Sequence, residues 1–204
     1  MKKGILSLVF SAGLLSGFAQ SKKWDWQDIA LSWSDFTPRQ AMPDARTASI
    51  YIHNAFSWES SGRADQLTIQ LKSALTTDRS KSMVKAAFLK NASREEKEAL
   101  LKHEKAHLAI AYLKQYWLQD TLLRASLDLQ NYKSQIRQIN TYLNQKADSL
   151  NAAYDKATKH SLIVAAQKEW EDKILDMLNA YRQHNAPLPR LVELTLSVPG
   201  KQAN

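Results

Sequence analysis

The stretch "LLKHEKAHLAIAY", residues 100–112, sets His103 and His107 four apart, with Glu104 directly after the first. Four helical residues rise about 6 Å and nearly close a turn, so on a helix the two imidazoles can face one metal ion together. Zinc accepts imidazole nitrogen at about 2.0–2.1 Å, and a catalytic site usually takes three protein ligands and leaves a position for water. Glu104 cannot share the direction of His103. It can lean over that water, take its proton and pass it to a leaving amine while zinc polarises the scissile carbonyl. The competing reading is a His-Glu-His cluster on a charged surface helix, with Lys102 and Lys105 pairing with nearby acids. Against it stand the apolar neighbours, because imidazoles that face a core are expensive to leave without a partner.

The elements that must position these groups can be read from pattern. Ser93 followed by Glu96 makes a capping box and starts a long helix near Arg94. Its inward positions run through Leu100, His103, His107, Ile110, Leu113 and Trp117, so both histidines share the core side. A second helix is expected through Tyr132, Ile136, Ile139, Leu143, Leu150 and Tyr154, and a third through Ile163, Trp170, Ile174, Met177 and Tyr181. Residues 63–186 contain neither Gly nor Pro, which favours such long helices. Before them, alternation predicts strands through Ile29, Leu31 and Trp33, then Ala48, Ile50 and Ile52, then Leu67, Ile69 and Leu71. A late strand through Val192, Leu194, Leu196 and Val198 returns to the sheet.

The third ligand must come from elsewhere. If the first helix runs to about residue 125, it carries the chain some 27 Å beyond His107, and an antiparallel second helix needs a similar length to come back. That return reaches the level of the metal from Asp148 onward, in "ADSLNAAYDKATKHS", where Asp148, Asp155 and His160 are candidates. Imidazole and carboxylate both suit zinc, so spacing alone does not choose among them. His53 and His184 stand isolated and read as satisfied or solvated histidines.

Composition narrows the setting. The chain opens "MKKGILSLVFSAGLLSGFAQSKKW", in which Lys2 and Lys3 precede a short apolar run ending in small residues near Ala19. These are the three parts of a secretory signal peptide, expected over residues 1–19, with export to the periplasm or beyond the cell and no membrane span after cleavage. The 204 residues include no Cys, which excludes a lipid anchor on Cys, disulfides and thiolate zinc sites, and leaves His and carboxylates to hold any metal. The formal charge of +8 falls to +6 without the two leader lysines. With no Arg-rich recognition helix or aromatic RNA motif, that excess reads as solvated helix faces and no nucleic acid is expected as partner. Residues 20–204 are long enough for one sizeable core and are read as a single domain.

"LSWSDF", "LLKHEKAHLAIAYL" and "LNAAYDKATKHSLIVAAQKEW" occur in an order that resembles a bacterial family of predicted secreted zinc-dependent proteases, long catalogued as a domain of unknown function. In it a W-x-D-F element precedes H-E-x-x-H, followed by Y-D-x-x-T-x-H and then a Gln and a Trp. Here these are Trp33, Asp35 and Phe36; His103, Glu104 and His107; Tyr154, Asp155, Thr158 and His160; and Gln167 and Trp170, spanning about residues 29–175. The resemblance implies His160 as third zinc ligand, with Asp155 behind it or as the alternative ligand. Two positions depart from the family pattern: Ser161 stands where Gly is frequent, and Leu108 where an aromatic is. Trp33, Asp35 and Phe36 are expected to anchor the sheet to the helices. Tyr154 and Thr158 are expected either to pack or to support the site, and Gln167 and Trp170 to hold the third helix against it.

The resulting expectation is an α+β, zincin-like fold with a small, mostly antiparallel N-terminal sheet followed by three long helices. Its function is that of an exported zinc metallopeptidase holding one Zn2+ per chain and acting on a peptide or protein substrate, with Glu104 as general base. Two alternatives compete with it. One is a non-catalytic helical envelope protein with a structural or vestigial zinc site, and the other is a zinc hydrolase acting on cell-wall amide bonds.

Overall fold

The computed structural model of the chain describes residues 23–63, 66–181 and 190–199. The leader expected over residues 1–19, and His184, lie outside them. Two single turns of 3-10 helix come first, Trp26–Asp28 and Trp33–Asp35. Each closes on a side chain: Asp28 accepts the Asp25 N–H at 2.9 Å, and Asp35 accepts the Ser32 N–H at 2.8 Å. These short acids capture backbone donors that a strand would use in its ladder. The strand expected through Ile29, Leu31 and Trp33 is therefore replaced by turns, although Ile29 and Leu31 are buried as the alternation implied. Trp33 lies against Phe36 and Phe88, with ring centroids 5.2 and 6.0 Å away, so this segment is an apolar anchor.

The strands form two three-stranded sheets. In the first, β1 (Thr37–Arg39) runs parallel to β5 (Met83–Lys85), and β2 (Ala48–Ser49) pairs antiparallel on the other side of β5. In the second, β4 (Gln66–Thr77) lies between β3 (Ile52–Arg63) and β6 (Leu191–Pro199), all antiparallel. On β4, buried Ile69, Leu71 and Leu75 alternate with exposed Gln70, Lys72 and Thr76, the period of a half-covered sheet. One strand was expected through Ala48, Ile50 and Ile52, yet the chain leaves the first sheet at Ser49 and enters the second at Ile52. Between them the Ile50 N–H donates to Glu104 Oε2 at 2.9 Å and the Tyr51 N–H to Ser82 Oγ at 3.0 Å, so side chains take these ladder donors. The small N-terminal sheet of the sequence reading is thus two small sheets, one of them closed by the late strand.

A short helix, α1 (Ala86–Asn91), precedes α2 (Arg94–Arg124). The capping box at its start forms as expected, with Glu96 N–H donating to Ser93 Oγ at 3.1 Å and Ser93 N–H to Glu96 Oε2 at 2.7 Å. Two further helices follow, α3 (Tyr132–Thr158) and α4 (Val164–Tyr181). At 31 residues α2 is about 46 Å long, and it packs against α3, α4 and strands of both sheets. Covered on several sides, it buries Ala106, Ala109, Ile110 and Leu113, and the polar residues of its middle turns are enclosed with them.

Candidate metal centre

His103 and Glu104 are each only 2 % exposed, while His107, one turn on, is half-buried. The run of α3 brings its own last turns level with them. Lys146 lies over the Trp117 ring, Asn151 meets His107, and Asp155 meets both histidines, so the two helices are antiparallel. Asp148 stops short of this level; it is exposed and its charge acts on Lys114.

The His107 Nδ1 sits 2.8 Å from Asn151 Oδ1, which accepts from this nitrogen when it carries the ring proton, and the ring so held turns its Nε2 toward Asp155. That Nε2 lies 3.1 Å from Asp155 Oδ1, and His103 Nε2 lies 3.2 Å from the same oxygen. Despite these distances, Asp155 Oδ1 is buried with no hydrogen-bond partner. Ligands at 2.0–2.1 Å on a tetrahedron stand about 3.3 Å from one another. The atoms are spaced as ligands of one small cation, which would relieve the orphaned oxygen. All three, from His103, His107 and Asp155, lie within 4.8 Å of one another, and this group could hold a metal ion. Two imidazoles and a carboxylate suit zinc by donor type.

His160 stands outside that set, exposed, with Nδ1 3.4 Å from Asp155 Oδ1. His160 is thus a neighbour of the His103, His107 and Asp155 group, and Asp155, the alternative ligand of the sequence reading, is the carboxylate that completes it. Backbone conformation explains how His160 comes to face Asp155. Lys159, His160 and Ser161 all adopt left-handed φ, at 48°, 54° and 73°, turning the chain sharply off the end of α3. The third of these is the position where the resembled family favours Gly, and a left-handed φ is the physical reason.

Electrostatics divides the two histidines. Burial disfavours charge on both rings and prevails at His103, whose pKa is lowered. At His107 the Asp155 carboxylate, with Glu104 and Asn151, outweighs burial and raises the pKa. Burial works against ionisation of Asp155 as well, but the two imidazoles hold its carboxyl well below the usual carboxylate range. It is therefore an anion ready to coordinate. Tyr154 is fully buried and its phenol is pushed far up by burial, so it stays neutral. Its ring stacks on His103 at 4.6 Å and meets Trp170 at 6.0 Å. The Thr158 hydroxyl donates to the Tyr154 carbonyl at 2.9 Å, which commits it to the helix end. Gln167 Nε2 donates to the Ala99 carbonyl and to Glu171 Oε1, both at 2.8 Å, tying α4 to α2.

The site opens into a cleft of about 340 Å³ whose walls include the Ala48–Ile52 backbone, Arg46, Asn151 and His160. His53 does not line it. Sequence reasoning missed Asn151, the Ile50 N–H and Arg46. Asn151 had a signal, since it lies four residues before Asp155 and so on the same face of α3.

The model of a family described as "Bacterial protein of unknown function (DUF922)" matches residues 23–161. The chain belongs to this family. The DUF922 match takes in the Trp33 turn, α2 and the whole His103, His107 and Asp155 group, and ends just after His160. Gln167 and Trp170 on α4 fall beyond it. No curated protein and no solved structure matches the chain. The DUF922 description carries no activity, so any function must be argued from the site itself.

Proposed function

We propose that the chain is an exported zinc metallopeptidase, with the metal held by His103, His107 and Asp155 and Glu104 as the general base. The observation that carries this is the buried, unpartnered Asp155 Oδ1 at 3.1 and 3.2 Å from two imidazole nitrogens, with the Glu104 carboxylate on the same helix as those imidazoles. Zinc bound there would supply Lewis-acid polarisation of a carbonyl and lower the pKa of water. Glu104 is kept in position by the Ile50 N–H on Oε2, so its carboxylate can accept a proton and return it to a departing amine. The Ala48–Ile52 segment lines the cleft, and its two ends belong to β2 and β3, each at the edge of its sheet, a setting that suits an extended peptide. Among the described residues no helix is long and apolar enough to cross a membrane. The export reading rests on the charged, apolar and small-residue succession of residues 1–19.

Metal analysis of the purified chain should find one zinc. Glu104→Gln should keep the metal and the fold while turnover of a chelator-protected peptide substrate falls by roughly two to four orders of magnitude. Full activity in the zinc-loaded variant would remove Glu104 from the chemistry. A panel of peptide, muropeptide and ester substrates identifies the bond, and inactivity on all of them with zinc bound would overturn the peptidase reading.

A further inference from the structure

The metal cleft has a neighbour. A second cavity of about 490 Å³ shares Arg46 and His160 with it as walls, and Ala45, Thr47, Lys159 and Leu162 complete most of its lining. That lining is chiefly apolar. Its one acid is engaged: Asp44 accepts from Arg46 Nε at 2.8 Å and from the Arg46 backbone N–H at 2.9 Å. Thr47, Lys159 and His160 bring further polar groups, but by area the surface offered to a ligand is mostly carbon, from Ala45, Leu162 and the aliphatic parts of the longer side chains, and the hollow adjoins the candidate metal centre.

The wall formed by Leu162 depends on an unfavourable backbone. Three successive non-glycine residues in the left-handed region, Lys159 to Ser161, are costly, and such strain persists only where the surroundings over-determine it. The turn is pinned by Ile163 N–H donating to the Thr158 carbonyl at 2.9 Å. It turns His160 toward Asp155 and in the same stroke projects Leu162, which is 80 % exposed. An apolar side chain presented to water at the rim of a concavity gains by being covered. Val164, 74 % exposed in the same segment, does not line the cavity.

Resting on the peptidase reading above, we propose that this cavity is a substrate subsite, taking an apolar side chain next to the scissile bond, with Leu162 as its specificity-determining wall. Continuity with the cleft through Arg46 and His160 places such a side chain beside a peptide lying across His103 and His107. A membrane surface is the other class of partner that an exposed leucine could meet. It would engage Val164 equally and would leave the hollow unused.

The test uses the full chain carrying Glu104→Gln, so that binding is read without turnover. Fluorescein-labelled decapeptides of Ala and Ser with one central guest, Leu, Phe, Asp or Lys, are titrated by fluorescence anisotropy. Leu and Phe guests should bind roughly tenfold more tightly than Asp and Lys. Adding Leu162→Ala should bring the four guests within about twofold, Leu162→Lys should favour the Asp guest, and Val164→Ala should leave the preference in place. The same guest order in Leu162→Ala as in its parent overturns the proposal. So does the absence of any guest preference, or binding to phosphatidylglycerol vesicles that Leu162→Ala and Val164→Ala abolish alike. A Leu162-dependent preference in a chain whose wild type cleaves none of these peptides would fell the peptidase reading and leave the apolar subsite standing.

Discussion

Replacing Lys114 by Met should stabilise the protein, by an amount that depends on pH. Lys114 lies on α2 at the interface with α3, 5 % exposed, and burial lowers its pKa from 10.5 to about 8 even though the charge of Asp148 opposes the shift. In the unfolded chain the group binds its proton up to about 10.5, so between about pH 8 and 10.5 the unfolded state holds more protons than the folded one. Stability therefore rises with pH across that window, and the penalty is nearly complete below its lower end. The gap between the two pKa values amounts to about 3.3 kcal/mol at pH 7 and shrinks to about 0.8 kcal/mol at pH 10. Met has similar length and no charge to desolvate, but it forgoes the attraction of Asp148, so the expected gain at pH 7 is about 1–3 kcal/mol. Urea unfolding of wild type and Lys114→Met at pH 7 and pH 10, at equal metal content, measures it. A variant less stable than wild type at pH 7, or a difference that does not narrow by pH 10, would refute the reasoning.

Three further outcomes are expected. Asp155→Ala should lose most bound zinc, while His160→Ala should retain it with affinity weakened roughly 10- to 100-fold; metal analysis showing the reverse order would restore His160 as the ligand. Ser161→Gly should raise stability by up to about 1 kcal/mol by relieving a left-handed φ of 73°, and Ser161→Val should lower it, both read in thermal melts. Gln167→Ala should cost about 1–3 kcal/mol in urea unfolding, since it strips the Ala99 carbonyl and Glu171 of a buried donor; a neutral effect would mean that α4 is not held through this side chain.

The helical part of the fold was legible because its signals are local. Ser93 and Glu96 begin α2 where a capping box must, and the three- and four-residue spacing of apolar residues found α3 and α4. The sheets were read less well. Alternation through Ile29, Leu31 and Trp33 reported burial correctly but not hydrogen bonding, which the side chains of Asp28 and Asp35 had already claimed. The break at Ile50 had no local signal, because its cause is a carboxylate 54 residues away. In the site, spacing alone placed His103 and His107 together. That Asp155 joins them while His160 faces it from a turn of three left-handed residues could not be read locally, since nothing in those side chains announces that conformation.

The parts of the candidate centre come from different elements. His103, Glu104 and His107 ride on α2, while Asp155 and the hydrogen bond from His107 to Asn151 come from α3. Glu104 is clamped by the junction between β2 and β3, and the stacking of Tyr154 on His103 is backed by Trp170 from α4. No peptide containing the motif helix alone could reproduce this, since an isolated α2 offers two imidazoles and lacks the carboxylate that brings their nitrogens to ligand spacing. An ion that bound only the assembled group would link its binding to folding: it would stabilise the packing of α2 on α3, and any change that loosened the packing would weaken its hold. The anionic Asp155 makes the linkage mutual. Its Oδ1 is buried with no hydrogen-bond partner, so the energetic cost of assembling this group falls on the carboxylate that a bound cation would meet.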